Sequence, residues 1–314
     1  MEGEPSRSFG KASAATTQLV LILLAIPVVW STPPKTDCQT RPQITGIARV
    51  AVYSADLKAS ARFYGQALGL SSTAIACGES RLCFSVNAAQ QIDIIPLIKP
   101  APTNFLADVT FSTNNTEKMH CYLEQHGIDA GKISTGGDGR KHFELLDPEG
   151  HPISFVDSEI HQNFTPASHQ ISKRLFHAGF VVRDHVAEDR FYLGLLGFRP
   201  YWHGGFKDAD TDWEEIQVPD GSDWIEFMLN IPSTADHKEL GVQNHLSLGI
   251  TDARNAVKLL HARGVRNIDG PEIGRDGKWA ADIYDPDLTR IELMEFKPAK
   301  NPCCNPYTAP HPRP

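Results

Sequence analysis

The chain has 314 residues, of which 41% are apolar and 22% are charged, and its formal net charge is −8. That length suits two domains of ordinary size, and the composition is typical of a soluble globular protein. A nucleic-acid-binding protein usually presents a basic face. No run of Lys and Arg occurs in this sequence, so we expect no nucleic-acid partner.

The first 43 residues differ in composition from the rest of the chain. Residues 19–30 are uncharged and apolar, and they follow Arg7 and Lys11. Twelve such residues suit the apolar core of a signal peptide, whereas a membrane span needs about 20. We therefore predict a signal peptide or anchor plus linker over residues 1–43 and an exported protein, periplasmic or secreted. The protein would be attached to a membrane only if this segment is not cleaved.

Residues 44–97 predict elements in the order β-α-β-β-β. Short apolar, β-branched stretches predict the strands, and apolar residues at helical spacing predict the helix, which Gly69 ends. The predicted first strand covers 47–53, the helix covers 55–68, and the three short strands cover 72–76, 82–86 and 91–97. The same order recurs over 105–156, where Asp147-Pro-Glu-Gly150 precedes the last strand.

The second half of the chain repeats the first. Arg190-Phe-Tyr-Leu-Gly-Leu-Leu-Gly-Phe198 mirrors Arg62-Phe-Tyr-Gly-Gln-Ala-Leu-Gly-Leu70, and Asp285-Pro-Asp-Leu288 mirrors Asp147-Pro-Glu-Gly150. The repeat gives four units of about sixty residues. One unit alone would expose a face of its small sheet, so units should pair. We predict an α+β fold in which four βαβββ modules pair into two half-open-barrel domains.

The predicted domains have the following bounds. The N-terminal domain covers 44–158, a polar linker covers 159–171, and the C-terminal domain covers 172–298. A Pro-rich tail over 299–314 is predicted to be disordered.

Four residues lie at equivalent points of the third and fourth modules. His177 and Glu226 are 49 residues apart, and His245 and Glu292 are 47 apart. Each lies in a short apolar stretch that predicts a strand. Imidazole and carboxylate groups are ligands for divalent transition metals, so the pattern predicts one shared metal ion. The alternative is that these are unrelated polar residues on half-exposed strands.

The first domain carries a different set at the same four points: Arg49, Asp93, Asp108 and Ser154. This set contains no histidine. We therefore predict that residues 44–158 hold no transition metal and that they have a structural or substrate-shaping role.

The repeated βαβββ order, the Arg-Phe-Tyr…Leu-Gly helix ends and the Asp-Pro turns resemble the vicinal oxygen chelate superfamily. This superfamily contains glyoxalase I, methylmalonyl-CoA epimerase, extradiol ring-cleaving dioxygenases and antibiotic-resistance proteins. The resemblance implies a divalent metal ion, one of Fe, Mn, Ni, Co or Zn, in the cup of a paired module. Carried over position by position, the metal ligands are His177, Glu226, His245 and Glu292.

Two reaction types follow from different numbers of ligands. With His177, His245 and Glu292 as ligands, the site would resemble that of an extradiol dioxygenase, whose domain layout this chain shares. With Glu226 as a fourth ligand, it would resemble glyoxalase or epimerase sites, where a catalytic glutamate, here Glu226 or Glu292, abstracts a C–H proton. The strand before Asp285 lacks a histidine that the dioxygenase pattern requires. A third alternative, outside enzymes, is a protein that sequesters its ligand.

The substrate of this site is predicted to be a small organic molecule. His203 is a candidate acid or base beside the metal, and the sequence is compatible with a homo-oligomer. An apolar or aromatic substrate would suit the aromatic residues near the proposed cup, although these equally suit a core; they are Tyr201, Trp202, Trp213, Trp224 and Trp279.

Six cysteines fit an oxidising compartment, but they fit ordinary free thiols equally well. Cys77 and Cys83 flank a predicted hairpin turn, which would allow a bridge between them. Cys303 or Cys304 would be able to reach Cys38.

Overall fold

The computed structural model describes residues 1, 3, 10, 38–72, 80–158, 167 and 169–314. The chain divides into two units, Met1–Thr36 and Asp37–Pro314, and every helix and strand of the described residues belongs to the second unit. None of the described helices is long and apolar enough to cross a membrane. The predicted leader core, residues 19–30, lies outside the described residues, as does most of the predicted linker at 159–171.

The first half of Asp37–Pro314 contains two βαβββ modules. The helix of the first module begins as α-helix and continues as a π-helical segment, Ala61–Ala67. Its elements are β1 (Ile44–Ser54), α1 (Leu57–Ser60), β2 (Ser71–Ser72), β3 (Leu82–Ser85) and β4 (Gln91–Pro96). The second module has β5 (Leu106–Thr113), α2 (Thr116–Gln125), β6 (Ser134–Thr135), β7 (Lys141–Leu146) and β8 (Pro152–Asp157).

The second half repeats this order, and a π-helical segment, Arg190–Leu195, again extends the first helix. The third module has β9 (Arg174–Val181), α3 (His185–Asp189), β10 (Arg199–Gly204), β11 (Trp213–Gln217) and β12 (Trp224–Met228). A short connecting helix that the sequence pattern did not predict, α4 (His237–Gln243), follows. The fourth module has β13 (His245–Ile250), α5 (Ala253–Ala262), β14 (Ile268–Ile273), β15 (Trp279–Tyr284) and β16 (Arg290–Glu295).

Each pair of modules forms one eight-stranded mixed sheet. The strand orders are β2-β3-β4-β1-β5-β8-β7-β6 and β10-β11-β12-β9-β13-β16-β15-β14. The first and last strands of each module therefore meet at the centre of a sheet, and the short strands lie at its edges. The predicted α+β fold of four paired βαβββ modules is confirmed.

The helices begin where the sequence supplies acceptors for free backbone N–H groups. Asp56, Asn115, Asp184, Asp236 and Asp252 each cap a helix N-terminus with a side-chain oxygen. The first helices of modules one and three end before Gly69 and Gly197, both of which have positive φ. These local signals explain why the repeat folds the same way twice.

The described disulfides contradict one of the two expected pairings. Cys38 bonds Cys121 on α2, with Cα atoms 5.6 Å apart, and Cys303 bonds its neighbour Cys304. The prediction that Cys303 or Cys304 reaches Cys38 was therefore wrong. Cys77, the expected partner of Cys83, lies outside the described residues.

The Pro-rich tail packs onto the C-terminal sheet, so the prediction of a disordered tail was wrong. The Cys303 N–H donates to the Arg275 carbonyl at 2.8 Å, and the Thr308 N–H donates to the Tyr201 carbonyl at 3.0 Å. The Tyr307 ring packs against Tyr201, with centroids 4.7 Å apart. Composition indicated disorder because of the prolines, but the aromatic residue between them has a buried surface to bind. The tail thus runs from the turn between β14 and β15 across to the edge strand β10.

Candidate metal centre

The four residues of the predicted metal set lie on four adjacent strands at the centre of the C-terminal sheet. Glu226 is on β12, His177 on β9, His245 on β13 and Glu292 on β16. The register aligns Gly179, two residues beyond His177, with both Glu226 and His245. Because side chains two residues apart in a strand share a face, all four side chains project into the same cup.

The ligand atoms converge on one point. His177 Nε2 lies 3.0 Å from His245 Nε2 and 3.0 Å from Glu292 Oε2. Glu226 Oε2 lies 3.3 Å from His245 Nε2 and 3.9 Å from His177 Nε2. Ligand atoms bound to one ion at about 2.1 Å are about 3.0–3.4 Å apart at octahedral or tetrahedral angles. His177, Glu226 and His245 form a group whose ligand atoms all lie within 4.8 Å of one another. Glu292 adjoins this group at 3.0 Å from His177 Nε2 and 3.9 Å from His245 Nε2.

Burial keeps the two imidazoles in the form that binds metal. Burial, followed by the nearby His245, lowers the pKa of His177 well below its usual value. Burial and the Arg290 guanidinium lower the pKa of His245 to about 4. The His245 Nδ1–H donates to the Gln243 carbonyl at 2.8 Å, and the Nε2 lone pair accepts from the Arg290 guanidinium at 3.0 Å. A metal ion at Nε2 would replace that hydrogen bond. At neutral pH both rings are neutral and able to coordinate a metal.

Gly179 makes room for the His245 ring. A Cβ atom at this position would lie 2.2 Å from Cε1 and Nδ1 of His245. Any side chain here would push the imidazole out of the cup. The His245 ring can thus occupy the cup because residue 179 is a glycine.

The cup opens into a cavity of about 420 Å³. Glu226 and Glu292 line it, and aromatic and thioether side chains form its walls. These wall residues are Trp202, Phe206, Trp213, Met228 and Met294. Charged and polar side chains make up more than half of the lining, so the cavity combines aromatic walls with many ionic groups. Its size is typical of small-molecule sites.

Negative charge is in excess around the cup. Within the described residues, five buried or half-buried carboxylates surround it, and the two buried cations there are Lys278 and Arg290. The carboxylates are Glu215, Glu226, Asp276, Asp282 and Glu292. Burial raises the pKa of both Glu226 and Glu292, and the Arg290 guanidinium opposes this shift in both. A divalent cation would supply the missing positive charge, so the residues fit such an ion.

The family model of the Glyoxalase/Bleomycin resistance protein/Dioxygenase superfamily matches residues 174–293, which include all four residues of the metal set. Residues 174–293 are a glyoxalase-superfamily domain. No curated protein matches the sequence. The superfamily resemblance that the sequence predicted is confirmed.

Solved structures show the same fold across both sheets of this chain. An extradiol ring-cleaving dioxygenase from B. fuscum matches with a TM-score of 0.63 and 19% identity, over 87% of this chain and 76% of that one. Homoprotocatechuate 2,3-dioxygenase from Brevibacterium fuscum, in complex with 3,4-dihydroxyphenylacetate, matches with a TM-score of 0.61 and 19% identity. That match covers 82% of each chain. At this identity the likeness concerns the fold.

A second ionic cluster, unnoticed in the sequence, borders the cup of the glyoxalase-superfamily domain. The fully buried Lys278 ammonium lies 3.0 Å from Asp276 Oδ2 and 4.8 Å from the centroid of the Trp224 ring. Burial opposes its charge, but Glu215 and Asp276 raise the pKa of Lys278. Glu215 is aligned with Glu226 on the neighbouring strand. That alignment is visible only once the register is known, which is why the sequence did not reveal the cluster.

The tail closes this side of the cup. The Tyr307 hydroxyl donates to the Asp276 carboxylate at 3.0 Å, and its ring centroid lies 4.7 Å from the Lys278 ammonium. Gln217 donates to the Pro310 carbonyl at 2.9 Å. The segment predicted to be disordered therefore shields a buried ion pair next to the proposed metal centre.

The structure does not place His203 with the four central residues. On β10 it alternates with the buried Trp202, which faces the cavity, so the His203 side chain is exposed on the other face. A role as an acid or base in the cup is not supported. Trp279 packs under the guanidinium of Arg254 at 4.2 Å and does not line the cavity either.

The N-terminal sheet repeats the geometry with different chemistry. Asp93 and Asp108 are both aligned with Ala51, two residues beyond Arg49, just as Glu226 and His245 are aligned with Gly179. Arg49 lies 3.2 Å from Asp108 and 3.8 Å from Asp93, and Ser154 donates to Asp108 at 2.6 Å. A guanidinium thus provides in this cup the positive charge that a metal ion would provide in the other.

Proposed function

We propose that this protein is a metal-dependent isomerase or lyase of the glyoxalase type, acting by proton transfer on a small carbonyl compound. The observation that supports it is the position of Glu226, whose carboxylate reaches both imidazoles at 3.3 and 3.9 Å. The site thereby has two imidazoles and two carboxylates. A ring-cleaving dioxygenase is instead expected to use two imidazoles, one carboxylate and open positions.

In this proposal His177, His245, Glu226 and Glu292 hold the ion. When bound, a divalent metal supplies a Lewis acid for two adjacent substrate oxygens. The aromatic walls bind the apolar body of the substrate and exclude water from its reacting carbon. Trp202 and Trp213 contribute flat apolar surface for this purpose.

Glu226 is the proposed base. Its carboxylate takes a proton from the carbon next to the substrate carbonyl, and the electrons of the C–H bond move to the carbonyl oxygen. In an α-hydroxy carbonyl substrate, the same carboxylic acid then returns the proton to the former carbonyl carbon, while the hydroxyl proton moves to the former carbonyl oxygen. The hydroxyl carbon becomes the new carbonyl, so no oxidant or reductant is consumed. Glu292 lies on the opposite side of the two histidines and holds the site together.

The decisive experiment combines metal analysis with hydrogen exchange. Purified protein is expected to contain one equivalent of a divalent metal in this centre, and the metal is lost in His245→Ala. The metal-loaded protein, incubated in D₂O with a panel of α-hydroxy and α-keto carbonyl compounds, should introduce deuterium next to the carbonyl of its substrate. Glu226→Gln should retain metal, because the amide oxygen still binds, but lose exchange. Exchange that survives in Glu226→Gln at the wild-type rate would refute the assignment of the base.

Extradiol ring cleavage is the second candidate, and the fold similarity to the dioxygenases favours it. Oxygen uptake by the Fe(II)-loaded protein with 3,4-dihydroxyphenylacetate tests it directly. The strand beside Glu292 argues against it: the residue aligned with Glu292 on β15 is Asp282, not a histidine or tyrosine. Tight binding of a compound without turnover would favour the third alternative, a sequestering protein.

A further inference from the structure

The two halves of the molecule meet through a pair of related contacts. The Tyr64 hydroxyl of module one donates to Asp285 of module four at 3.0 Å, and the Tyr192 hydroxyl of module three donates to Asp147 of module two at 3.2 Å. Each Asp opens an Asp-Pro turn and accepts two backbone N–H groups of its own turn through Oδ1. The contacts are thus equivalent in position.

Their surroundings are not equivalent. Beside Asp285 the residues are Thr289 and Ser60, which carry no charge. The corresponding residues beside Asp147 are His151 and Glu188. The Nδ1 atom of His151 lies 2.7 Å from Asp147 Oδ2, and the ring stacks on Phe180 with centroids 4.9 Å apart. The Tyr192–Asp147 contact therefore has an imidazole and a second carboxylate beside it, whereas Thr289 and Ser60 take these positions at the Tyr64–Asp285 contact.

Glu188, beside Asp147, has a buried carboxylate that is only partly hydrogen-bonded. Its side chain is fully buried, and Oε1 accepts the Glu149 N–H at 2.9 Å. Oε2 is also buried and has no hydrogen-bond partner among the described residues. Burial and the neighbouring Asp147 raise the pKa of Glu188 to about 8. A buried carboxylate oxygen without a partner is costly, and a cation is the usual way to satisfy it.

We propose that Asp147, His151 and Glu188 form a second, structural site for a divalent transition-metal ion such as Zn²⁺. One ligand atom from each residue lies within 4.8 Å of the others. Ligand atoms on one ion with bonds of about 2.1 Å are about 3.0–3.4 Å apart. Binding would therefore draw Glu188 towards the other two residues and replace the hydrogen bond between His151 and Asp147. Two carboxylates and one imidazole neutralise the ion, and the Tyr192 hydroxyl lies beside them. The ion would join module two to module three and take no part in the chemistry of the cup.

The site is tested by counting zinc in protein whose cup has been disabled. His245→Ala protein is stripped with a chelator, equilibrated with Zn²⁺, freed of excess ion and analysed by mass spectrometry. About one zinc per chain should remain, and adding Glu188→Gln should remove it. Asp285→Asn, the equivalent carboxylate at the other contact, is the matched control and should retain the zinc.

A thermal measurement gives an independent readout. Zinc at about a hundred times its Kd should raise the Tm of the His245→Ala protein by roughly 5 °C, and this rise should vanish with Glu188→Gln. His151→Gln provides a second variant if Glu188→Gln does not fold. Zinc-free His245→Ala protein, or a zinc content unchanged by Glu188→Gln and His151→Gln, would overturn the proposal. So would a Tm gain in Glu188→Gln that does not depend on zinc, since a proton would then satisfy Glu188. None of these outcomes depends on the activity of the cup.

Discussion

The hydroxyl of Tyr64 donates a hydrogen bond of 3.0 Å to Asp285, 221 residues further along the chain. The equivalent pair, Tyr192 and Asp147, makes the same bond at 3.2 Å. The tyrosines belong to the repeated Arg-Phe-Tyr motif and the aspartates to the repeated Asp-Pro turn. The two sequence motifs therefore bind each other across the two sheets. The helix of module one is fixed to module four, and the helix of module three to module two.

Tyr64→Phe should destabilise the protein by about 1–3 kcal/mol, because it leaves a buried carboxylate oxygen of Asp285 without its donor. Urea unfolding measures the change. Tyr53→Phe is the matched control: Tyr53 is half-buried, and its hydroxyl makes no hydrogen bond within the described part of the chain. Equal stabilities for the two variants would show that the Tyr64 bond adds nothing.

Asp285 should make the stability depend on pH between about 4 and 6. Burial raises the pKa of Asp285 to about 6, above the ordinary value of 3.8. The folded state therefore holds a proton that the unfolded state has lost, so this residue lowers stability as the pH rises through that window. Between pH 4 and pH 7, Asp285 should lower the free energy of unfolding of the wild-type protein by on the order of 2 kcal/mol. Asp285→Asn should lack this decline, which urea unfolding of both proteins at the two pH values measures. A difference that is constant with pH would contradict the assignment.

The positions of the central residues of both sheets could be predicted because the second half of the chain repeats the first. Spacing alone aligned His177 with His245 and Glu226 with Glu292, since each pair lies at the same point of a module. The register then confirmed that Arg49, Asp93, Asp108 and Ser154 occupy the matching points of the other sheet.

The sequence did not predict the features that depend on contacts between distant segments. Lys278 lies in a loop, and its ammonium is covered by Trp224 and Tyr201 of the sheet and by Tyr307 of the tail. His203 looked suitable as an acid or base until the register showed which residues of β10 face the cup. The proline-rich composition of the tail predicted disorder. The tail is ordered because it binds β10 and the turn before β15, which lie far from it in the sequence.

Gly179→Ala should abolish metal binding in the cup while leaving the fold intact. The added Cβ would lie 2.2 Å from the His245 ring, so the imidazole must leave its position. We expect a stability cost of about 1–3 kcal/mol and loss of the cup metal, measured by circular dichroism and metal analysis. Gly65→Ala is the control, because its Cβ would meet only the Phe84 ring edge at 3.4 Å. Full metal content in Gly179→Ala would mean that His245 is not a ligand.

Arg49→Met should destabilise the N-terminal sheet by about 1–3 kcal/mol, since it leaves the half-buried Asp108 without its cation and Asp93 with only the more exposed Arg81. Arg81→Met serves as control: Arg81 contacts the same Asp93 at 3.4 Å, but from a more exposed position. Adding Asp93→Asn and Asp108→Asn to Arg49→Met should recover much of the loss. No recovery would show that Arg49 acts through packing of its stem and not through its charge.

Tyr307→Ala should release the tail. This change removes the hydrogen bond to Asp276 and the aromatic contacts with Tyr201 and Lys278. A loss of about 1–3 kcal/mol of local stability corresponds to a roughly 5- to 150-fold faster cleavage within residues 297–314, because proteolysis follows the population of the open form. Limited proteolysis with mass spectrometry measures the rate, and Tyr53→Ala is the control. Metal content should not change, since no tail residue is among the four central side chains. Equally fast cleavage of the wild-type tail would mean that the tail does not close the cup in solution and that Lys278 is exposed to water.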